Sequence, residues 1–176
     1  MVALTRAVLY PRIASKFTID NHFFREQGKR PFLWNRPFNQ GRNHIVEQSA
    51  KQKMEANKKA VMEFYEFGLN KKDYEAASRY LGPRYMQHNP LVADGKEGFK
   101  AFLAKLGAEF PDNHNEIKRI FAEGDYVIIH VHSVRIPGTR GRAIFDLFKL
   151  ENGKIVEHWD AIQEIPEKSA NPNGMF

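Results

Sequence analysis

The chain contains no cysteine, which excludes disulfides, thiolate nucleophiles and zinc–thiolate sites. It has no apolar run near the roughly 20 residues that a membrane-crossing helix needs. The clearest run, Tyr126 to Val131, has the length of a strand, and a soluble protein is expected. The apolar core of a secretory signal is also missing, because Arg6 and Arg12 interrupt the candidate stretch, so a cytoplasmic location is expected. Most of the chain lacks an excess of either charge. The net charge is +6, but residues 1–52 carry nine Lys/Arg against three Asp/Glu while residues 53–176 carry eighteen of each. The larger part is neutral and shows no recognition-helix pattern, RNP-like motif or zinc spacing. It lacks the footprint of nucleic-acid binding.

A chain of 176 residues is long enough for one domain with a real core. Residues 1–52 differ from the rest and read as a basic, aromatic-containing N-terminal extension. MVALTRAVLYPRIASKF is basic, poor in acid and contains serine, as organelle transit peptides do, although Pro11 interrupts a long amphipathic helix. Beyond it Phe23, Phe24, Phe32, Trp34 and Phe38 are interleaved with Arg25, Lys29, Arg30 and Arg36 without helical or strand period. Such a segment suits an extended arm over a domain surface or contact with an anionic partner. Residues 53–165 form the domain, and 166–176 a C-terminal tail.

From Lys53 the pattern becomes regular. Val61, Phe64, Tyr65 and Leu69 fall at helical spacing, and Gly68 and Asn70 mark the weakening end. Asp73 suits the N-cap of a short helix over Tyr74 to Leu81, which Gly82-Pro83 stops. A short strand or loop follows over Arg84 to Pro90. Asp94-Gly95 opens a third helix whose Phe99, Phe102, Leu103 and Leu106 make one apolar stripe, with Gly107 as its stop. Four strands are then predicted over 115–122, 126–135, 143–150 and 154–164, joined by Glu123-Gly124-Asp125, Pro137-Gly138 and Asn152-Gly153. Helices followed by a strand meander indicate an α+β domain with a curved antiparallel sheet over the helices.

The last hairpin carries a carboxylate where apolar side chains belong. Asn152-Gly153 between two apolar runs signals a two-residue type I′ turn closed by Glu151 and Lys154. An unbroken register from that turn puts Ile144, Asp146, Phe148 and Leu150 opposite Ala161, Trp159, Glu157 and Ile155, with Gln163 continuing the surface. The reverse surface then holds Ala143, Phe145, Leu147 and Lys149 with Val156, His158, Asp160 and Ile162. Both faces are largely apolar and both need cover, which places Asp146 against a covered interior. A buried carboxylate needs donors or must hold its proton. It can do so as a proton-transfer group, or as a structural partner of Trp159 Nε1 or a nearby arginine. A one-residue bulge in the hairpin exchanges the faces and makes Asp160 the interior carboxylate.

The domain resembles the SnoaL-like polyketide cyclases of the nuclear transport factor 2 superfamily. The likeness rests on the helical opening, YMQHNP at Tyr85 to Pro90, the helix with Gly98-Phe99 and Phe102, and DLFKLENGKIVEHWDAIQ. It implies a cone of curved sheet closed by three helices. It also implies a pocket in which an aspartate on the penultimate strand is the general acid/base, with a histidine on the preceding strand nearby to donate a hydrogen bond to the enolate oxygen. Asp146 and His132 match those positions, and the implied chemistry is proton abstraction next to a carbonyl followed by intramolecular aldol closure, without cofactor. A base for such a proton works best with a pKa near the working pH, and an apolar pocket moves a carboxylate that way.

His132 shares its strand face with Tyr126, Ile128, His130 and Val134, so it is either the partner of Asp146 or ordinary strand packing. Pro90 holds Asn89 extended, which lets His88 and Asn89 face a cavity mouth. The expected pocket contains Tyr65, Tyr85, His88, Asn89, His130, Phe148, Trp159 and Gln163. His130 and His132 with a carboxylate also have the makings of a metal pair, but no metal or cofactor is assigned. The expected ligand is a small apolar carbonyl compound. A homodimer through the outer sheet face is expected, with Phe145, Leu147, Val156 and Ile162 among its contacts. Other activities compatible with these residues are those of a ketosteroid-isomerase-like or dehydratase-like enzyme, or a noncatalytic binding module.

Overall fold

The computed structural model describes residues 40–176, with side chains from residue 44 onward. The expectations for the transit-like segment and the basic-aromatic arm fall on residues 1–39 and lie outside the described residues. Helix α1 spans Gln40–Tyr65 and so starts well before Lys53. Residues 44–53 are all exposed, Ile45 and Val46 included. Apolar periodicity marks a helix only where it packs, so this half left no stripe to read. Beyond it Val61, Phe64 and Tyr65 are buried. The helix then widens into a π turn over Glu66–Asn70, where buried Gly68 lets Phe99 approach: a Cβ there would lie 3.1 Å from the Phe99 ring.

Asp73 caps helix α2 (Tyr74–Ser78), its side chain accepting from the Ala76 N–H at 2.9 Å. The helix stops before Leu81 because Gly82 and Pro83 already belong to strand β1 (Leu81–Gln87), which pairs in parallel with β5 (Lys154–Glu164). Proline is tolerated on an edge strand, and Gly82 admits Val156, whose Cγ1 would lie 2.8 Å from a Cβ there. Helix α3 spans Gly95–Glu109 and runs through Gly107. Its Phe99, Leu103 and Leu106 are buried as the stripe requires.

Strands β2 (His114–Glu123), β3 (Tyr126–Val134) and β4 (Arg142–Glu151) complete one sheet in the order β1-β5-β4-β3-β2. The sheet is therefore mixed rather than wholly antiparallel, and the helices pack on one face of it. That interface is the core, with Phe64, Phe99, Phe148, Leu103, Ile129, Leu150 and Ile155 nearly inaccessible. Burying each such side chain contributes roughly 1.5–3 kcal/mol.

Asn152 (φ 50°) and Gly153 (φ 72°) form the type I′ turn, and Glu151 pairs with Lys154. Leu150 still pairs with Ile155, but Lys149 pairs with Glu157, so Val156 is an extra residue. This bulge corrects the unbroken register. Ile155 and Val156 are both buried, the first in the core and the second beside Gly82. Beyond it Asp146 faces Asp160, Phe148 faces His158 and Ile144 faces Ile162. Trp159 and Gln163 turn to the outer face, opposite Leu147 and Ala143. Of the expected dimer contacts, Val156 is buried within the domain and Ile162 turns to the inner face, whereas Phe145 and Leu147 remain outside.

Among the described residues no helix is long and apolar enough to cross a membrane.

Candidate functional site

The inner face of the sheet and the helices enclose a cavity of about 340 Å³. Its walls include Tyr65 from α1, Tyr85 and Gln87 from β1, Phe99 from α3, and Asp146, Phe148, His158 and Asp160 from β4 and β5. Asn89 lies at its edge, in the loop that Pro90 extends.

Asp146 is buried, with 4% of its surface exposed. Its Oδ2 accepts from the Tyr65 hydroxyl at 3.1 Å, and its Oδ1 lies 2.9 Å from His158 Nε2. Burial raises the Asp146 pKa above the ordinary carboxylate value; the bond and charge of His158 oppose this, and the charge of Asp160 adds to it. Burial, and then Asp146, likewise pushes the Tyr65 phenol well up. Tyr65 therefore stays protonated and donates. It is the last residue of α1 before the π turn, a deviation often found beside functional side chains.

A chain of hydrogen bonds fixes the histidine's tautomer. The backbone N–H of Asn89 donates to Gln87 Oε1 at 2.9 Å, so that atom must be the amide oxygen. Gln87 Nε2 donates to the Tyr85 hydroxyl at 3.0 Å. His158 Nδ1 lies 2.9 Å from the same Gln87 oxygen and must carry the hydrogen. Nε2 of a neutral ring is then an acceptor facing a carboxylate, and a 2.9 Å contact between them needs one proton. Asp146 and His158 thus hold a shared proton, as carboxylic acid and imidazole or as carboxylate and imidazolium. The parallel pairing of Gln87 with His158 brings β1 and β5 together at this point.

Asp160 stands opposite Asp146 in the ladder, and its Oδ2 accepts from Asn89 Nδ2 at 2.6 Å. Ligand atoms of Asp146, His158 and Asp160 lie within 4.8 Å of one another, a set that could hold a divalent metal. A metal there would have to displace the shared proton, since His158 Nε2 cannot serve both.

Of the residues singled out in the sequence, Asp146, Tyr65, Tyr85, Asn89 and Phe148 line the cavity. His132 does not. Val127, Ile129, Val131 and Ser133 point inward from β3, so His130 and His132 face outward. His132 pairs with Ala143, and its Nε2 lies 2.8 Å from the Arg140 carbonyl oxygen. His130 stacks on Phe145 at 4.2 Å, and its Nδ1 accepts from Arg119 Nη1 at 3.1 Å. Burial and then Arg119 lower its pKa. Phe176 of the C-terminal tail lies over both rings, at 5.1 and 4.8 Å between centroids. The metal pair of His130 and His132 with Asp146 is thereby excluded by the sheet between them. Trp159 stacks on exposed His88 at 4.6 Å, away from the cavity, and Gln163 is exposed.

The residues missed by the register were His158 and Asp160, with Gln87. Their signal was the i, i+2 spacing in His158-Trp159-Asp160, which shares one strand face whichever face that is.

The model of the SnoaL-like polyketide cyclases matches residues 59–168. Among solved structures the chain is similar to TsrD from Streptomyces laurentii, at 24% identity and TM-score 0.52 over 61% of this chain and 88% of that one. It is also similar to AclR from Streptomyces galilaeus, described as a candidate hydroxylase, at 21% identity and TM-score 0.53 over 62% and 90%. A candidate polyketide cyclase from Acidithiobacillus ferrooxidans aligns at 22% identity and TM-score 0.52 over 61% and 87%. At such identities the likeness is one of fold. None of the curated proteins matches the chain.

Proposed function

Because the chain belongs to the SnoaL-like polyketide cyclase family, we propose that it is an acid/base enzyme acting on a small, largely apolar carbonyl compound by intramolecular aldol closure, with the Asp146–His158 dyad in place of the expected Asp146–His132 pair. The observation that carries this reading is the 2.9 Å contact between Asp146 Oδ1 and His158 Nε2, with Nδ1 committed to Gln87. With the shared proton on His158, Asp146 is a carboxylate with free lone pairs toward the cavity. It takes the proton α to a carbonyl. The enolate carbon forms a C–C bond to a second carbonyl of the same molecule, and the resulting alkoxide takes a proton back from the dyad. No atom is gained or lost, and no cofactor enters the scheme. Tyr85, whose hydroxyl accepts from Gln87 and keeps its own hydrogen, is the donor for the developing enolate oxygen. Its pKa is raised by burial and then by Asp146, so it donates rather than ionises.

The test is deuterium uptake from heavy water at the α-carbon of a panel of ketones, β-diketones and β-keto esters, followed by proton NMR. Wild-type protein should accelerate exchange for at least one class, and Asp146→Asn should not. Binding of these compounds without exchange or ring closure would identify a noncatalytic binding module instead.

A further inference from the structure

Two arginines, Arg135 and Arg142, line the cavity, and the charge of Arg142 reaches Tyr65. Arg142, Ile144 and Asp146 alternate along β4 and line one wall, so the guanidinium and the carboxyl share a surface, with Cα atoms about 13 Å apart at the usual strand rise. Arg135, the residue that follows β3, lines the same cavity, two residues beyond Ser133, the ladder partner of Arg142. Both arginines also line the open hollow just outside, with Arg140 and Glu164, and so stand where the cavity meets solvent.

Neither guanidinium donates a hydrogen bond to the protein among the described residues. The Arg142 side chain is 14% exposed, yet its nearest carboxylate oxygen, from Glu164, lies 3.8 Å from Nε on a side chain 77% exposed. That distance is beyond a hydrogen bond, and a guanidinium offers five donors. Arg135 sits 5.1 Å over the Phe110 ring and has no carboxylate within salt-bridge distance among the described residues. Desolvation and then the charge of Arg142 act against its own charge, and Glu164 and Glu109 oppose them. Glu109 is engaged at 3.8 Å by Lys105 on the same helix. Two like charges, partly buried and lining one cavity, are a fork awaiting an oxyanion.

We propose that Arg135 and Arg142 form an oxyanion subsite at the cavity mouth, and that the substrate is a carbonyl compound bearing a carboxylate or phosphate at the end remote from its reacting carbon. The inference rests on the acid/base reading only for calling this cavity the active site. It implies a ligand held between Asp146 and the two cations, which orients it before chemistry begins.

The probes are 2-naphthoate, 2-naphthyl phosphate and the neutral methyl 2-naphthoate, each titrated calorimetrically into the full chain. At least one anion should bind about tenfold or more tightly than the ester, and the stronger anion tells carboxylate from phosphate. Arg142→Met and Arg135→Met should each remove most of that preference, and Arg142→Lys, which keeps charge but not the fork, should retain part of it. Circular dichroism checks folding; if Arg142→Met fails to fold, Arg135→Met and Arg142→Lys carry the test. Asp146→Asn should keep or increase the preference, so loss of catalysis and loss of the subsite are read separately. Equal binding of ester and anions, or a preference that survives loss of both arginines, would overturn the proposal.

Discussion

Asp146 and Asp160 stand directly opposite each other across β4 and β5 on the inner face of the sheet, and the extra residue Val156 is what puts them there. Like charges so placed repel. Asn89 donates to Asp160, while Asp146 has Tyr65 and His158. The two carboxyl groups thus have different surroundings, which is how one site keeps an acid and a base together.

Replacing His158 should be far more costly than replacing His132. We expect His158→Gln to reduce turnover by about 10²- to 10⁴-fold, the usual contribution of a positioned acid/base group. His132→Gln should stay within a few-fold of wild type, because its ring lies on the outer face. Steady-state kinetics on the first substrate found by deuterium exchange checks both.

The raised Asp146 pKa has a stability consequence. Between the unfolded and folded pKa values the native state holds more protons than the unfolded chain, so stability falls as pH rises. The stabilisation is fully present below the unfolded pKa and is lost as pH rises through the folded one. Urea unfolding from pH 4 upward should show this decline in wild type and a flatter profile in Asp146→Asn.

Tyr65→Phe removes the donor to Asp146 Oδ2 without changing the shape of the core. A loss of about 1 kcal/mol is expected from one hydrogen bond, together with a further rise in the Asp146 pKa and hence an activity profile displaced to higher pH. Denaturant titration and the pH–rate profile measure the two effects.

Gly98→Ala should destabilise the domain through backbone contact. A Cβ at Gly98 would lie 1.9 Å from the Ala93 carbonyl oxygen, so the loop leading into α3 must move. The expected cost is about 1–3 kcal/mol, typical of overpacking, read from the thermal midpoint.

Phe121, Tyr126, Ile128 and Phe145 are exposed on the outer sheet face. We propose that a second copy covers them. Sedimentation of the full chain should give a dimer, and Phe145→Asp should shift it toward monomer; a monomeric wild type at micromolar concentration contradicts this.

The strands and the hairpin turn were legible because a two-residue period and an Asn-Gly pair are local signals. The α3 stripe and the Asp73 cap were legible for the same reason. What escaped depends on distant partners. Gly82-Pro83 reads as a helix stop, and only the parallel neighbour β5 makes it an edge strand. The bulge arises because Ile155 and Val156 both find apolar cover, one in the core and one beside Gly82, and no spacing within the hairpin reports that. Asp146 was legible as a misplaced carboxylate. Its true partner was not, because one extra residue exchanges Trp159 for His158 and Asp160. Arg135 and Arg142 look like ordinary cations at strand ends, and only the folded chain makes both of them line one cavity.

The most direct test of the account is the protonation of the dyad itself, from the carboxyl carbon shift of Asp146 and the ring nitrogen shifts of His158 followed together against pH, with Asp146→Asn and His158→Gln assigning the signals. His158 Nδ1 should stay protonated, and Asp146 Oδ1 and His158 Nε2 should share a single proton at neutral pH, with the final deprotonation of Asp146 above the ordinary carboxylate value of about 3.9. An Asp146 that titrates at or below that value, beside a His158 that titrates independently of it, would contradict the shared proton and with it the proposed chemistry.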